Sequence, residues 1–71
     1  MQKVLVVGGG KGGSAIIKML DETQFLSVYA VVDRNENAEG MVLAREKGIS
    51  TGLDWREFLD ETTDIVIEVT G

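Results

Sequence analysis

The residues with the most specific chemistry in this chain are the glycines that follow its first apolar run. Residues 4–7 are all apolar, and they lead into Gly8, Gly10 and Gly13, which have the spacing G-x-G-x-x-G. In a loop that joins a strand to a helix, the first glycine permits a tight turn and the second lets a phosphate approach the backbone. The third lets the helix pack closely. Helix N-termini attract anions, so residues 8–13, Gly12 included, predict a pyrophosphate-binding site.

A carboxylate that could bind a ribose follows the second apolar run. Asp33 comes directly after residues 27–32 and lies twenty residues after Gly13. At the carboxyl end of a second strand, a carboxylate can accept hydrogen bonds from both hydroxyls of an adenosine ribose. The adjacent Arg34 could stack on adenine or pair with a 2′-phosphate. Together these residues predict a dinucleotide site with NAD as the preferred cofactor and NADP as the less favoured one.

Spacing limits the other interpretations of the glycine and charged residues. A P-loop requires a glycine where this chain has Leu5 and a Ser or Thr where it has Gly12, so nucleoside triphosphate hydrolysis is not expected. Lys11 has two open interpretations, as a phosphate contact or as a solvated loop lysine. Glu68 interrupts the last apolar run, and we interpret it as a structural residue near a strand end rather than a functional one.

Composition excludes several other kinds of chemistry. The 71 residues contain no Cys and no His, which removes thiolate nucleophiles, imidazole acid–base catalysis and the usual zinc ligands. We therefore predict no catalytic residue and no metal site in this chain. The formal net charge of -5 disfavours nucleic acid as a partner. The apolar runs are too short for a signal or membrane segment, so we expect a cytoplasmic protein without membrane contact.

The apolar pattern also predicts the elements that position these residues. The β-branched and apolar runs predict four strands, at residues 4–7, 27–32, 49–51 and 64–70. A first helix is expected over residues 14–22, with four apolar residues towards one side, namely Ile16, Ile17, Met19 and Leu20. A second helix is expected to begin at an Asn37 cap and to exit through a left-handed Gly48.

A third, short helix is expected before the last strand. Asp54 and Glu57 have the spacing of a capping box, in which the first side chain bonds the amide three residues later. Three apolar side chains of this segment are expected to face inward, namely Trp55, Phe58 and Leu59. The predicted order of elements is therefore a strict alternation of strand and helix.

This alternation predicts a parallel sheet with right-handed crossovers and helices on both faces. The predicted fold class is α/β, a three-layer Rossmann-type sheet with strand order 3-2-1-4, of which residues 1–71 form the first half only. A complete fold of this kind needs a second βαβαβ half, so we expect a carboxyl-terminal segment of a larger protein, or a partner chain, to supply it. The unpaired edge of the last strand also predicts association between copies of the chain as a homo-oligomer.

Beyond these patterns, the sequence resembles the amino-terminal domains of Gfo/Idh-type and homoserine dehydrogenase-type oxidoreductases. The resemblance covers nearly the whole chain, through residues 8–13, 31–34, 43–49, 54–59 and 68–71, of which the first two segments are chemically specific. It implies that Thr70 and Gly71 lie near the nicotinamide side of the cofactor. It also implies that the catalytic residues come from later segments.

The chain also resembles the nucleotide-binding segments fused ahead of bacterial signalling modules. The triple glycine followed by Lys11 and the terminal Val-Thr-Gly carry this second resemblance. It implies a domain that senses a dinucleotide without transforming it. The glycine loop and Asp33 fit both settings, so two hypotheses remain: the cofactor domain of an oxidoreductase and a regulatory binding module.

Overall fold

A four-stranded parallel sheet organises residues 1–69, which are the residues that the computed structural model describes. The strands are β1 (Gln2–Val7), β2 (Leu26–Val32), β3 (Ser50–Gly52) and β4 (Ile65–Glu68). The helices are α1 (Lys11–Leu20) and α2 (Glu39–Glu46), with a short 3₁₀ helix at Trp55–Glu57. The neighbouring strands are parallel and follow the order β3-β2-β1-β4. The predicted α/β class, the Rossmann-type half and the strand order 3-2-1-4 are therefore confirmed.

Strand β1 lies at the centre of the sheet and is buried on both faces. Val4, Leu5 and Val6 have no exposed surface. Val4 and Val6 belong to the cluster beneath the two helices, whereas Leu5 belongs to a second cluster on the opposite face. Full burial of a side chain of this size stabilises a fold by about 1.5–3 kcal/mol. The continuous β-branched run therefore forms the core strand that the sequence predicts.

Helices α1 and α2 cover the first face of the sheet. Their buried contacts come from Ile17 and Leu20 of α1 and from Met41 and Ala44 of α2. Met19, expected on the inner side of α1, is 59% exposed. The expectation was wrong because residues two positions apart lie on nearly opposite sides of a helix, so the burial of Ile17 turns Met19 outward.

The segment around the 3₁₀ helix covers the second face. Phe58 packs against the buried cluster there, and the hydroxyl of Tyr29 donates a hydrogen bond to the Phe58 carbonyl. Trp55 and Leu59, expected to face inward, are 44% and 45% exposed. A single 3₁₀ turn offers too little surface to bury three large side chains, and only Phe58 reaches the cluster.

The ends of the short elements differ in part from the sequence prediction. Gly48 has φ +75°, which confirms the left-handed exit from α2. The cap of α2 is Ala38 rather than Asn37, and it makes no side-chain capping bond. The amide of Asn37 instead donates to the side chain of Asn35 within the preceding turn, at 3.0 Å. Asp54 does cap the 3₁₀ helix, but it accepts from the amide of Arg56, so the expected capping-box bond is not the one formed.

Candidate functional site

A cavity of about 610 Å³ lies where the carboxyl ends of the strands meet the start of α1. The order β3-β2-β1-β4 reverses direction between β1 and β4, and ligands of open parallel sheets bind at the point of such a reversal. The lining residues come from the glycine loop, the end of β2, the segment after β3 and the end of the described chain: Val7, Gly8, Gly10, Lys11, Gly12, Val32, Asp33, Arg34, Leu53, Trp55 and Val69.

The first and last glycines of the predicted motif hold the loop against the fold. Gly8 has φ +112°, a conformation that side chains rarely allow, and its amide donates to the Val32 carbonyl at 2.8 Å. Gly13 is buried in α1, and a Cβ atom there would overlap the carbonyl oxygen of Gly8. These two positions therefore need glycine for the turn and for the close approach of the helix, as the spacing predicts.

Gly10 and Gly12 line the cavity, and the space beside Gly10 is open. A Cβ atom at Gly10 would meet nothing within 4 Å. Packing within residues 1–69 therefore does not explain why this position is glycine. Gly12 is exposed, and a Cβ there would lie 3.3 Å from Cβ of Val69. Lys11 is also exposed and begins α1. The first turn of a helix has amides without intrahelical acceptors, so this side of the loop can receive an anion.

Asp33 lies beside the glycine loop and is partly buried. Its Oδ2 accepts from the amide of Gly9 at 2.6 Å, and its Oδ1 accepts from the amide of Asn35 at 2.8 Å. An ionised carboxylate has about four acceptor positions, so two hydrogen bonds leave capacity for two further donors. The structure thus brings Asp33 together with the glycine loop, as the sequence predicts, and shows that the carboxylate also binds the loop itself.

Arg34, Leu53 and Trp55 form a second wall of the cavity, outside the glycine loop. All three are exposed, and Trp55 is the single tryptophan of the chain. The sequence pattern predicted that Trp55 lies in the core, and it did not indicate Leu53 as a site residue. A signal was available, because β3 ends at Gly52 and the carboxyl ends of parallel strands share one edge of the sheet. Residues that follow β3 must therefore lie on the same side as Asp33.

A surface ion pair joins the two residues on either side of Trp55. Nη2 of Arg56 lies 2.7 Å from Oδ2 of Asp54. The hydrogen bonds from the Arg56 side chain, and then from its amide, lower the pKa of Asp54 to about 2. The same carboxylate raises the pKa of Arg56. Both side chains are in contact with water, so the pair contributes little to stability.

Two of the predicted site residues, Thr70 and Gly71, lie outside the described residues. Glu68 is exposed and is the last residue of β4. Across residues 1–69, no helix has both the length and the apolar character needed to cross a membrane. In the same part of the chain, no group of three or more acidic side chains is placed to hold a metal ion.

Two curated proteins are similar to this chain. It is 28% identical over 71 residues to acetaldehyde dehydrogenase 1 of Mycobacterium sp. (strain KMS) and, equally, to acetaldehyde dehydrogenase 1 of Mycobacterium sp. (strain MCS). The alignment covers 96% of this chain and 23% of each relative, so the chain spans about a quarter of their length. No protein-family model matches.

Proposed function

We propose that this chain binds the adenosine diphosphate half of a nicotinamide dinucleotide, with NAD preferred over NADP, as the cofactor domain of an oxidoreductase. One observation carries the proposal: a single cavity is lined both by the open backbone at Gly10 and by the carboxylate of Asp33. The pyrophosphate and the ribose of one ligand require these two groups within one site. A cavity of about 610 Å³ also lies within the range of ordinary ligand sites.

Each part of the ligand has a matching group in the chain. The pyrophosphate would lie over Gly10 and Gly12 at the start of α1, and Asp33 would accept from the ribose hydroxyls. Arg34 and Trp55 offer a cation and an aromatic face to the adenine. Thr70 and Gly71 remain assigned to the nicotinamide side through the resemblance alone. The bound cofactor would supply hydride transfer, with acid–base residues from beyond this chain.

The names of the relatives favour an oxidoreductase over a sensing module. Both similar proteins are dehydrogenases by name, and neither is named as a signalling protein. The glycine loop and Asp33 fit either setting, so the sequence patterns alone do not separate the two. The relatives therefore support a role in an oxidoreductase, and the cavity supports a dinucleotide as the ligand.

Titration with ADP and NADH tests the proposal directly, because Trp55 gives the chain an intrinsic fluorescence signal beside the cavity. We expect ADP and NADH to bind and to change the emission of Trp55. Gly10→Val should abolish binding by filling the phosphate position, and its unfolding transition should stay close to that of the wild type, since the space there is open. Adenosine, which lacks phosphate, serves as the ligand control. Equal affinity of wild type and Gly10→Val for ADP would contradict the proposed site.

A further inference from the structure

Gly9, which the fingerprint spacing leaves unspecified, is held from two sides. Its amide donates to Oδ2 of Asp33 at 2.6 Å, and its carbonyl accepts from the amide of Gly40 at 2.5 Å. A Cβ atom on Gly9 would lie 2.7 Å from Cγ of Met41, a side chain with no exposed surface. Both polar groups of this one residue are therefore fixed by segments that lie far along the chain from the glycine loop.

The hydrogen bond to Gly40 is also the missing cap of α2. The first amides of a helix need acceptors from outside the helix, and the cap residue Ala38 provides no side-chain acceptor. Gly40 is the second residue of α2, and the Gly9 carbonyl accepts from its amide. A Cβ atom on Gly40 would lie 2.6 Å from that carbonyl oxygen and 3.0 Å from the amide nitrogen of Ser14. The second helix can therefore meet the glycine loop only if residue 40 is glycine.

This contact determines the direction of a neighbouring amide. A trans peptide is planar, so the carbonyl of Gly9 and the N–H of Gly10 point in opposite directions. Because the carbonyl is directed at Gly40 of α2, the N–H of Gly10 is directed away from α2. Gly10 is one of the residues that line the cavity. The orientation of the Gly10 amide is thus coupled to the first turn of the second helix.

We propose that Gly40 is a positioning residue of the dinucleotide site: it touches no part of the ligand but fixes the peptide between Gly9 and Gly10. This inference rests on the proposed function. Gly40→Ala should displace the Gly9 carbonyl and rotate that peptide. The affinity for ADP should then fall roughly fivefold, the effect of about one lost hydrogen bond. Affinity for adenosine should not change, because the affected amide faces the pyrophosphate.

The experiment uses nuclear magnetic resonance on the full chain, with ADP as the probe. The amide resonance of Gly10 should move in ligand-free Gly40→Ala, and ADP should bind this variant more weakly than wild type. Val42→Ala truncates an exposed side chain on the same helix. It should match wild type in both the Gly10 resonance and the affinity for ADP. Wild-type ADP affinity in folded Gly40→Ala would overturn the positioning role, as would equal weakening by Val42→Ala.

A measurement on the wild type keeps the test decisive if Gly40→Ala does not fold. ADP should slow the exchange of the Gly40 amide more than that of the Arg45 amide in the last turn of α2, because ligand binding and the Gly9–Gly40 bond support each other. Equal slowing of the two amides would overturn the positioning role alone. Failure of the wild type to bind ADP would instead overturn the proposed function, and the role of Gly40 with it.

Discussion

The cavity has two walls that are built in opposite ways. The glycine-loop wall is fixed by backbone hydrogen bonds and close packing: Gly8 bonds the end of β2, Gly13 packs against Gly8, and Gly9 bonds Asp33 and α2. The wall at Leu53 and Trp55 is exposed and adjoins a surface ion pair. One wall is therefore part of the core and the other is part of the surface.

The two walls match the different needs of the two ends of the proposed dinucleotide. A phosphate needs amides in fixed directions, and a preorganised backbone provides them without reordering on binding. An adenine face needs only a flat apolar or cationic partner, which an exposed side chain can provide after a change of rotamer. We expect substitutions at Gly13, the packed glycine of the first wall, to affect folding strongly, and large side chains at Gly10 to affect affinity without affecting folding. Substitutions in the second wall should have small effects.

The largest effect is expected from Gly13→Ala. The new Cβ would overlap the carbonyl oxygen of Gly8, which is backbone and cannot move aside without shifting α1 or β1. We expect a loss of about 3 kcal/mol in the free energy of unfolding, measured by urea denaturation with circular dichroism. Gly10→Ala is the matched control, since its Cβ meets nothing within 4 Å. Similar midpoints for the two variants would show that the first wall is not rigidly packed.

An intermediate effect is expected from Asp33→Ser, which changes cofactor preference. The carboxylate can hold two ribose hydroxyls and repels a 2′-phosphate, and its removal leaves Arg34 free to pair with that phosphate. The preference for NADH over NADPH should shift by about 1–3 kcal/mol in favour of NADPH. Binding of both cofactors to both proteins measures this.

The control for Asp33→Ser is Glu36→Gln, which removes an exposed negative charge from a residue that does not line the cavity. It should leave the preference unchanged. A wild type that already prefers NADPH, or an unchanged ratio in Asp33→Ser, would reduce Asp33 to a turn residue that supports Gly9 and Asn35.

The smallest effect is expected at the exposed wall, from Arg56→Gln. Loss of the guanidinium hydrogen bonds should raise the pKa of Asp54 from about 2 towards 3.8. Because the pKa of the folded state is lowered, the contribution of Asp54 to stability is present above pH 3.8 and is lost as the pH falls through about 2. The stability difference between the two proteins should therefore be small at neutral pH and vanish at strongly acidic pH.

Carboxyl carbon resonances followed against pH measure this pKa. Asp60 is an internal control, since its pKa is lowered chiefly by the side-chain hydrogen bond from Thr62 and should not respond to Arg56→Gln. An Asp54 pKa that stays near 2 in the variant would show that the amide of Arg56 suffices to hold the carboxylate.

The sequence predicts the features that depend on local pattern. The β-branched runs define β1, β2 and β4, the spaced glycines locate the loop, and the alternation of elements yields the strand order. Asp33 is recognisable because its distance from the glycines reflects the length of one helix and one strand, α1 and β2. These signals reside within single segments or in the order of segments, so they need no knowledge of packing.

Contacts between distant segments could not be predicted in this way. Asn37 has a better intrinsic preference for capping than Ala38, but the Gly9 carbonyl already satisfies the amide that a cap would serve. Gly40 has a low helix propensity, and its presence in α2 is explained only by its approach to Gly9. Trp55 is apolar enough for a core, yet the short 3₁₀ turn leaves it at the cavity.

The register shift between β1 and β2 determines the face of the sheet on which Asp33 lies. Val4 pairs with Val28, but Leu5 pairs with Ala30, so Tyr29 is an extra residue in β2. Val28 contacts the helical face, Tyr29 and Ala30 both contact the other face, and Val31 returns to the helical face. After Ala30 the side chains again alternate between the two faces, but each lies on the face opposite to the one it would occupy in a regular strand. Residue 33 therefore lies on the side of Gly9 and Met41. If the same residues of β2 paired with β1 in a regular register, residue 33 would lie on the opposite face, so the contact of Asp33 with Gly9 depends on the bulge at Tyr29.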